Sequence, residues 1–258
     1  MNRAVKIFLI FCFIIIFVPG QCQSDWKKES ETATYANTKG TLPYRIFIPD
    51  SISNNEKIPL VLFLHGAGER GDDNESPLLQ GVKYFMNDTI RKQFPCILLV
   101  PQCPVSARWV EVDWSRPSHK MPLISIPLQQ VFELIDSLIL VLPVDTERIY
   151  ITGLSMGGFG TWDALARRPG FFAAAMPVCG GGDEATAFLM TQTPIRAFHG
   201  NLDHLVIPAR TINMVKAVNE AGGQAEYTLF PNLGHLCWDK VYSDVENIRW
   251  LFSQTRKK

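Results

Sequence analysis

The chain lacks an excess of charge of either sign: 25 lysines and arginines balance 25 aspartates and glutamates in 258 residues. That balance removes the electrostatic footprint of a nucleic-acid binder. No apolar run reaches the roughly twenty residues that a comfortable transmembrane helix needs. No two cysteines stand at zinc-finger spacing, so a structural metal is not expected. Internal repeats, low-complexity tracts and inter-domain linkers are missing too, which leaves one domain over residues 31–254. Histidine is scarce, at five residues, so the list of candidate bases is short.

What is present begins at the N-terminus. Arg3 and Lys6 precede an apolar stretch, Ile7 to Val18, and Pro19-Gly20 follows. A basic head, about a dozen apolar residues and a small residue form the pattern of a secretory signal peptide. The reading is a signal over residues 1–20, cleavage after Gly20, and a polar connector over 21–30. The rival is lipidation at Cys22, which Gln21 opposes because lipoprotein signals want a small residue there. An uncleaved anchor is the third reading. The expected location is therefore periplasmic or secreted, with a membrane engaged only through Cys22. Export permits disulfides among Cys96, Cys103, Cys179 and Cys237. Four cysteines allow three complete pairings, and sequence does not choose among them or exclude buried free thiols.

Strand and helix signals alternate after the connector. Glu31–Tyr35 and Leu42–Ile48 read as strands joined around Asn37-Thr38-Lys39-Gly40. Further strands are expected at 59–64, 96–100, 149–152, 172–178, 195–198 and 225–230. Helical periodicity is expected at 79–94, 126–142, 159–168, 208–221 and 240–252. Such alternation implies a mostly parallel sheet covered on both faces, with the opening hairpin as its antiparallel edge.

Gly153-Leu154-Ser155-Met156-Gly157 lies between a strand signal and a helix signal, the context of a nucleophile elbow. Three fixed positions at about 7% each recur by chance in roughly one chain of this length in twelve, so the surroundings must decide. A serine hydroxyl needs a base within hydrogen-bond reach, and the base needs a carboxylate. Ligand sites of alternating α/β chains lie at the carboxyl ends of strands. After later strands come Asp203, in His199-Gly200-Asn201-Leu202-Asp203, and His235, in Gly234-His235. Asp203 could instead be a turn residue before Pro208, and His235 a loop histidine without a role. Asp183 is a further acid candidate, as substituted acid or pocket wall. Asp163 and Asp239 read as solvent-facing or capping, His199 and His204 as structural, and His119 as surface. An oxyanion hole needs two backbone N–H groups. Met156 would give one. Ala67, in His65-Gly66-Ala67-Gly68, would give the other, ahead of Gly66 or Gly68, with His65 as a structural hydrogen-bonder.

Five blocks together resemble the α/β-hydrolase superfamily: Leu62-Phe63-Leu64-His65-Gly66, Gly153 to Gly158, His199 to Asp203, Val206-Ile207-Pro208 and Gly234-His235. His65 to Gly71, Val100 to Pro104, Cys179 to Asp183 and His235 to Trp238 narrow it. They resemble secreted carboxylesterases of the phospholipase/carboxylesterase (predicted peptidase) type, which are related to feruloyl and acetylxylan esterases. The resemblance implies an α/β-hydrolase fold: a mostly parallel central sheet of about eight strands, helices on both faces and an antiparallel N-terminal edge hairpin. It implies ester hydrolysis by Ser155, Asp203 and His235, with no metal or organic cofactor. The expected partner is a small ester or an esterified polysaccharide. A peptidase with the same triad and a non-catalytic binding protein of this fold are the alternatives.

Specificity must then come from loops, because no stretch between Ser155 and Asp203 is long enough for a large lid domain. Trp238, three residues past the base, is expected at the pocket rim. Trp109 and Trp114, in the irregular segment 102–127, are read as an aromatic wall, against the alternative of satellite packing. Glu69 and Arg70 could pair with each other or touch the substrate.

Overall fold

The computed structural model describes residues 26–49 and 56–256; the expected leader, its cleavage point and Cys22 lie outside them. The strands are β1 (Glu31–Asn37), β2 (Gly40–Phe47), β3 (Ile58–Leu64), β4 (Ile97–Pro101), β5 (Val144–Leu154), β6 (Ala174–Val178), β7 (Ile195–Gly200) and β8 (Ala225–Phe230). They form one eight-stranded sheet in the order β1-β2-β4-β3-β5-β6-β7-β8. The β1–β2 and β2–β4 pairs are antiparallel and the remaining pairs are parallel. The hairpin closes with Asn37 opposite Gly40.

Every residue of β3 is buried, as a parallel strand covered on both faces requires. Leu60, Leu62 and Leu64 face one core and Val61 and Phe63 the other, following the two-residue period of a strand. The first core is closed by α3 (Ile126–Val141), α4 (Met156–Arg167) and α5 (Ala209–Glu220). The second is closed by α1 (Val82–Phe85), α6 (Trp238–Tyr242) and α7 (Val245–Phe252), with α2 (Asp88–Gln93) beside it.

Two helices expected as continuous are broken. The 79–94 stretch divides into α1 and α2 because the Asn87 side chain accepts the Thr89 N–H and starts a new helix. The 240–252 stretch divides into α6 and α7 because Asp244 accepts the Glu246 N–H in the same way. Asn and Asp are strong N-caps, and here they override an uninterrupted apolar period. Among the described residues no helix is long and apolar enough to cross a membrane.

Candidate active site

The site lies at the carboxyl edge of the sheet, where β3, β5, β7 and β8 end. Ser155 follows β5 with φ 53° and ψ −116°, a conformation that few non-glycine residues hold unless the surroundings fix it. Its N–H donates to Val178 O at 2.9 Å. Gly157 permits the turn, since a Cβ there would sit 1.9 Å from Leu64 O. At Gly153 a Cβ would lie 2.4 Å from Gly157 O. These approaches are backbone against backbone, so no side chain could yield.

The structure brings Ser155, His235 and Asp203 into one hydrogen-bonded chain. His235 Nε2 lies 2.8 Å from Ser155 Oγ, and His235 Nδ1 lies 2.6 Å from Asp203 Oδ2. With Nδ1–H donated to the carboxylate, Nε2 is left to accept the serine hydroxyl. Asp203 is almost fully buried, and its Oδ1 accepts the N–H groups of Leu205 and Val206 at 2.9 and 3.0 Å. Burial alone would raise its pKa. Hydrogen bonds from His199, His235 and the Val206 amide outweigh burial and hold the carboxyl well below the usual carboxylate range.

His199 does more than flank the acid. Its Nε2–H donates to Val206 O at 2.8 Å and lies 3.1 Å from Asp203 Oδ2, while Nδ1 meets Thr211 Oγ1 at 2.8 Å. The acid is thus fixed from its own loop and from α5.

The β3 loop is held as firmly. His65 is fully buried; its Nδ1–H donates to Gly66 O at 2.6 Å and its Nε2 accepts the Cys103 N–H at 2.9 Å. Burial lowers its pKa to about 4, so the ring is neutral at ordinary pH. Arg70 does not pair with Glu69. Its guanidinium donates to the carbonyls of Ala67, Val105 and Ala107, tying the loop to the segment after β4. Met156 opens α4, where first-turn N–H groups have no intrahelical acceptor. Ala67 lies across the same cavity, one residue past the buried Gly66.

The cavity over Ser155 measures about 660 Å³ and is lined by Ala67, Glu69, Trp114, Leu205, His235 and Trp238, among others. Trp238 packs edge-on against His235, centroids 5.7 Å apart, and its Nε1–H donates to Gln80 Oε1 at 3.0 Å. Trp114 carries the Arg108 guanidinium 4.5 Å above its ring. Glu69 turns its carboxyl toward the Gly66 backbone, and burial pushes the pKa of that group up.

Trp109 is a correction. Instead of walling the cavity it is fully buried beneath α4, with its Nε1–H donated to His65 O at 3.0 Å. An indole that meets a histidine edge-on and satisfies a buried carbonyl is packing, not recognition. His119 is also displaced from expectation: half-buried, it contacts Arg210 and lies 5.9 Å from Phe159. Asp163 is buried and paired with Arg167 rather than solvent-facing. Asp183 caps a short 3₁₀ turn and accepts the Met121 N–H at 2.9 Å, away from the cavity. Gln80 and Leu205 also line the cavity, and the sequence carried no signal for either; Arg108 and Leu236 line it from the segments that hold Trp114 and His235. Among the described residues one group could hold a metal, Cys179, His199 and Asp203, whose ligand atoms lie within 4.8 Å of one another. All three already have protein hydrogen-bond partners.

The comparisons with known proteins accord with this fold. The model of the Dienelactone hydrolase family matches residues 128–241. A crystal structure of a thermostable esterase superposes with a TM-score of 0.83 at 36% identity, over 89% of this chain and 64% of that one. The protein has the α/β-hydrolase fold. The chain is also similar to the "Probable carboxylesterase" of Oryza sativa subsp. japonica, 23% identical over 70% of this chain and 82% of the relative. The Pyrococcus horikoshii acylaminoacyl peptidase shares the fold alone, at 16% identity and a TM-score of 0.66 over 89% of this chain. The chain spans only 64% of the thermostable esterase's length and 42% of the peptidase's.

Proposed function

We propose that the protein is a serine carboxylesterase acting on short-chain or carbohydrate-linked esters, acetyl or feruloyl, through an acyl-enzyme. The observation that carries this is the unbroken chain from Ser155 Oγ through His235 to Asp203. In the proposed reaction His235 takes the serine proton as Oγ attacks the ester carbonyl. The oxyanion is held by the N–H groups of Met156 and Ala67. His235 then returns the proton to the departing alcohol. A water deprotonated by the same ring attacks the acyl-serine, and the acid leaves. Asp203 keeps the imidazole in the tautomer that accepts at Nε2 and stabilises the imidazolium.

The cavity supports the substrate class. Its walls are largely apolar, with Trp114 and Trp238 offering ring faces and Glu69 and Arg108 offering polar points, a mixture suited to a small acyl or aromatic acid on a polar alcohol. Export of the protein, by cleavage after Gly20 with lipidation at Cys22 as the rival, remains part of the proposal on the strength of the N-terminal pattern.

The test is a parallel assay of p-nitrophenyl acetate, butyrate and palmitate, a feruloyl ester, acetylated xylan and an aminoacyl amide matched to its ester. The reading expects turnover of short or feruloyl esters above palmitate, and ester above amide. A preference for palmitate overturns the substrate class, and a preference for the amide overturns the esterase reading in favour of a peptidase.

A further inference from the structure

Two cysteines stand beside the base without any part in the mechanism. Cys179 follows β6 directly, in the left-handed region at φ 50°, and its N–H donates to Phe198 O at 2.9 Å. Cys237 lies two residues past His235, where its N–H donates to His235 O at 2.9 Å. Both side chains are fully buried, and the sulfurs lie 2.9 Å apart. That is closer than two unbonded sulfurs rest and wider than a bonded pair at about 2.05 Å. Cys179 Sγ also reaches His235 O at 3.2 Å. The other two described cysteines sit elsewhere, Cys96 just before β4 and Cys103 in the loop beyond it.

We propose that Cys179 and Cys237 form a covalent cross-link, a disulfide that ties the His235 loop to the end of β6. The placement gives the bond a purpose. His235 sits in a loop between β8 and α6, and nothing in that loop belongs to the sheet. Ser155 is fastened to the same end of β6 through its N–H bond to Val178 O. A link from residue 237 to residue 179 therefore fixes base and nucleophile to one anchor, next to each other.

The chemistry is thiol–disulfide exchange with a small-molecule or protein disulfide of the glutathione class. One cysteine thiolate attacks a sulfur of that disulfide and expels a thiolate, giving a mixed disulfide. The second cysteine thiolate then attacks the protein sulfur of the mixed disulfide and expels the other reagent thiolate. The pair loses two protons and two electrons, and the reagent is reduced to two thiols. Because both sulfurs are buried in the folded protein, exchange occurs while the chain is still open. The closed fold then shields the bond from reductant.

The experiment uses full-length protein refolded from denaturant in a glutathione redox buffer. Thiols are blocked with iodoacetamide in denaturant without reductant, and the digest is read by mass spectrometry. The proposal expects a linked peptide pair carrying Cys179 and Cys237, two hydrogens lighter than the sum, with Cys96 and Cys103 alkylated. It expects reduction in denaturant, followed by refolding without oxidant, to lower the melting temperature by about 5–10 °C. The Cys179→Ala/Cys237→Ala variant should show no such difference. Full alkylation of Cys179 and Cys237 in the oxidised protein overturns the proposal, as does a link to any other cysteine. The mapping is independent of ester turnover, so it stands or falls apart from the esterase reading.

Discussion

Replacing His65 with alanine tests whether the oxyanion-side loop is held by one buried neutral ring. The ring has no solvent access and makes two hydrogen bonds, Nδ1–H to Gly66 O and Nε2 from Cys103 N–H. Its removal leaves the buried Cys103 amide unpaired, at about 1–3 kcal/mol, takes one of two donors from Gly66 O, and opens a cavity besides. Together these amount to about 4 kcal/mol, a large share of the 5–15 kcal/mol on which a domain of this kind subsists. With an m-value near 2.5 kcal/mol/M the urea midpoint should fall by roughly 1.5 M. The wild type carries a matching pH signature. The folded pKa of His65 is lowered from 6.5 to about 4, so the unfolded chain binds the proton first as pH falls. The stability due to the neutral ring is complete above pH 6.5 and is lost as pH falls toward 4. Its full size is about 3 kcal/mol. His119, also lowered to about 4 by burial and the nearby Arg210 charge, adds to the same window. His65→Ala should therefore flatten the slope of stability between pH 6.5 and 4 without abolishing it. Urea unfolding followed by tryptophan fluorescence at several pH values reads both effects. A variant within 1 kcal/mol of wild type, or one with an unchanged slope, would refute the reasoning.

Asp203→Asn should keep the fold, because the asparagine Oδ1 can still accept from Leu205 and Val206. It should lower kcat about 10⁴-fold by stabilising the wrong tautomer of His235, as steady-state ester kinetics at equal melting temperature would show. Trp109→Phe removes the donor to His65 O and should cost about 1–2 kcal/mol in urea unfolding with KM unchanged. Trp114→Ala should do the reverse, raising KM for aromatic esters about tenfold with little loss of stability.

The fold was legible because β3, β4 and β6 are short apolar runs with Gly or Pro at or within two residues of their ends, and because the helices between the strands carry an amphipathic period. The triad was legible for a related reason: Ser155, Asp203 and His235 each sit just past a strand end, so topology alone brings them to one edge. What sequence could not show is direction. Trp109 and Trp114 stand five residues apart in the same irregular segment, yet one satisfies a buried carbonyl and the other lines the cavity. No periodicity exists there to separate them. The breaks at Asn87 and Asp244 were hidden because the apolar spacing runs on across both caps. The approach of Cys179 to Cys237, 58 positions apart, depends on β6 and the His235 loop ending at the same place, which strand order fixes and composition does not.

The measurement that reaches the central claim most directly is covalent labelling with a fluorophosphonate, read by intact mass and peptide mapping. The wild type should take up one phosphonyl group, on Ser155, and Ser155→Ala should take up none while unfolding at the same urea midpoint. Equal labelling of the two proteins, or a folded wild type that stays unlabelled, would contradict the assignment of Ser155 as the nucleophile.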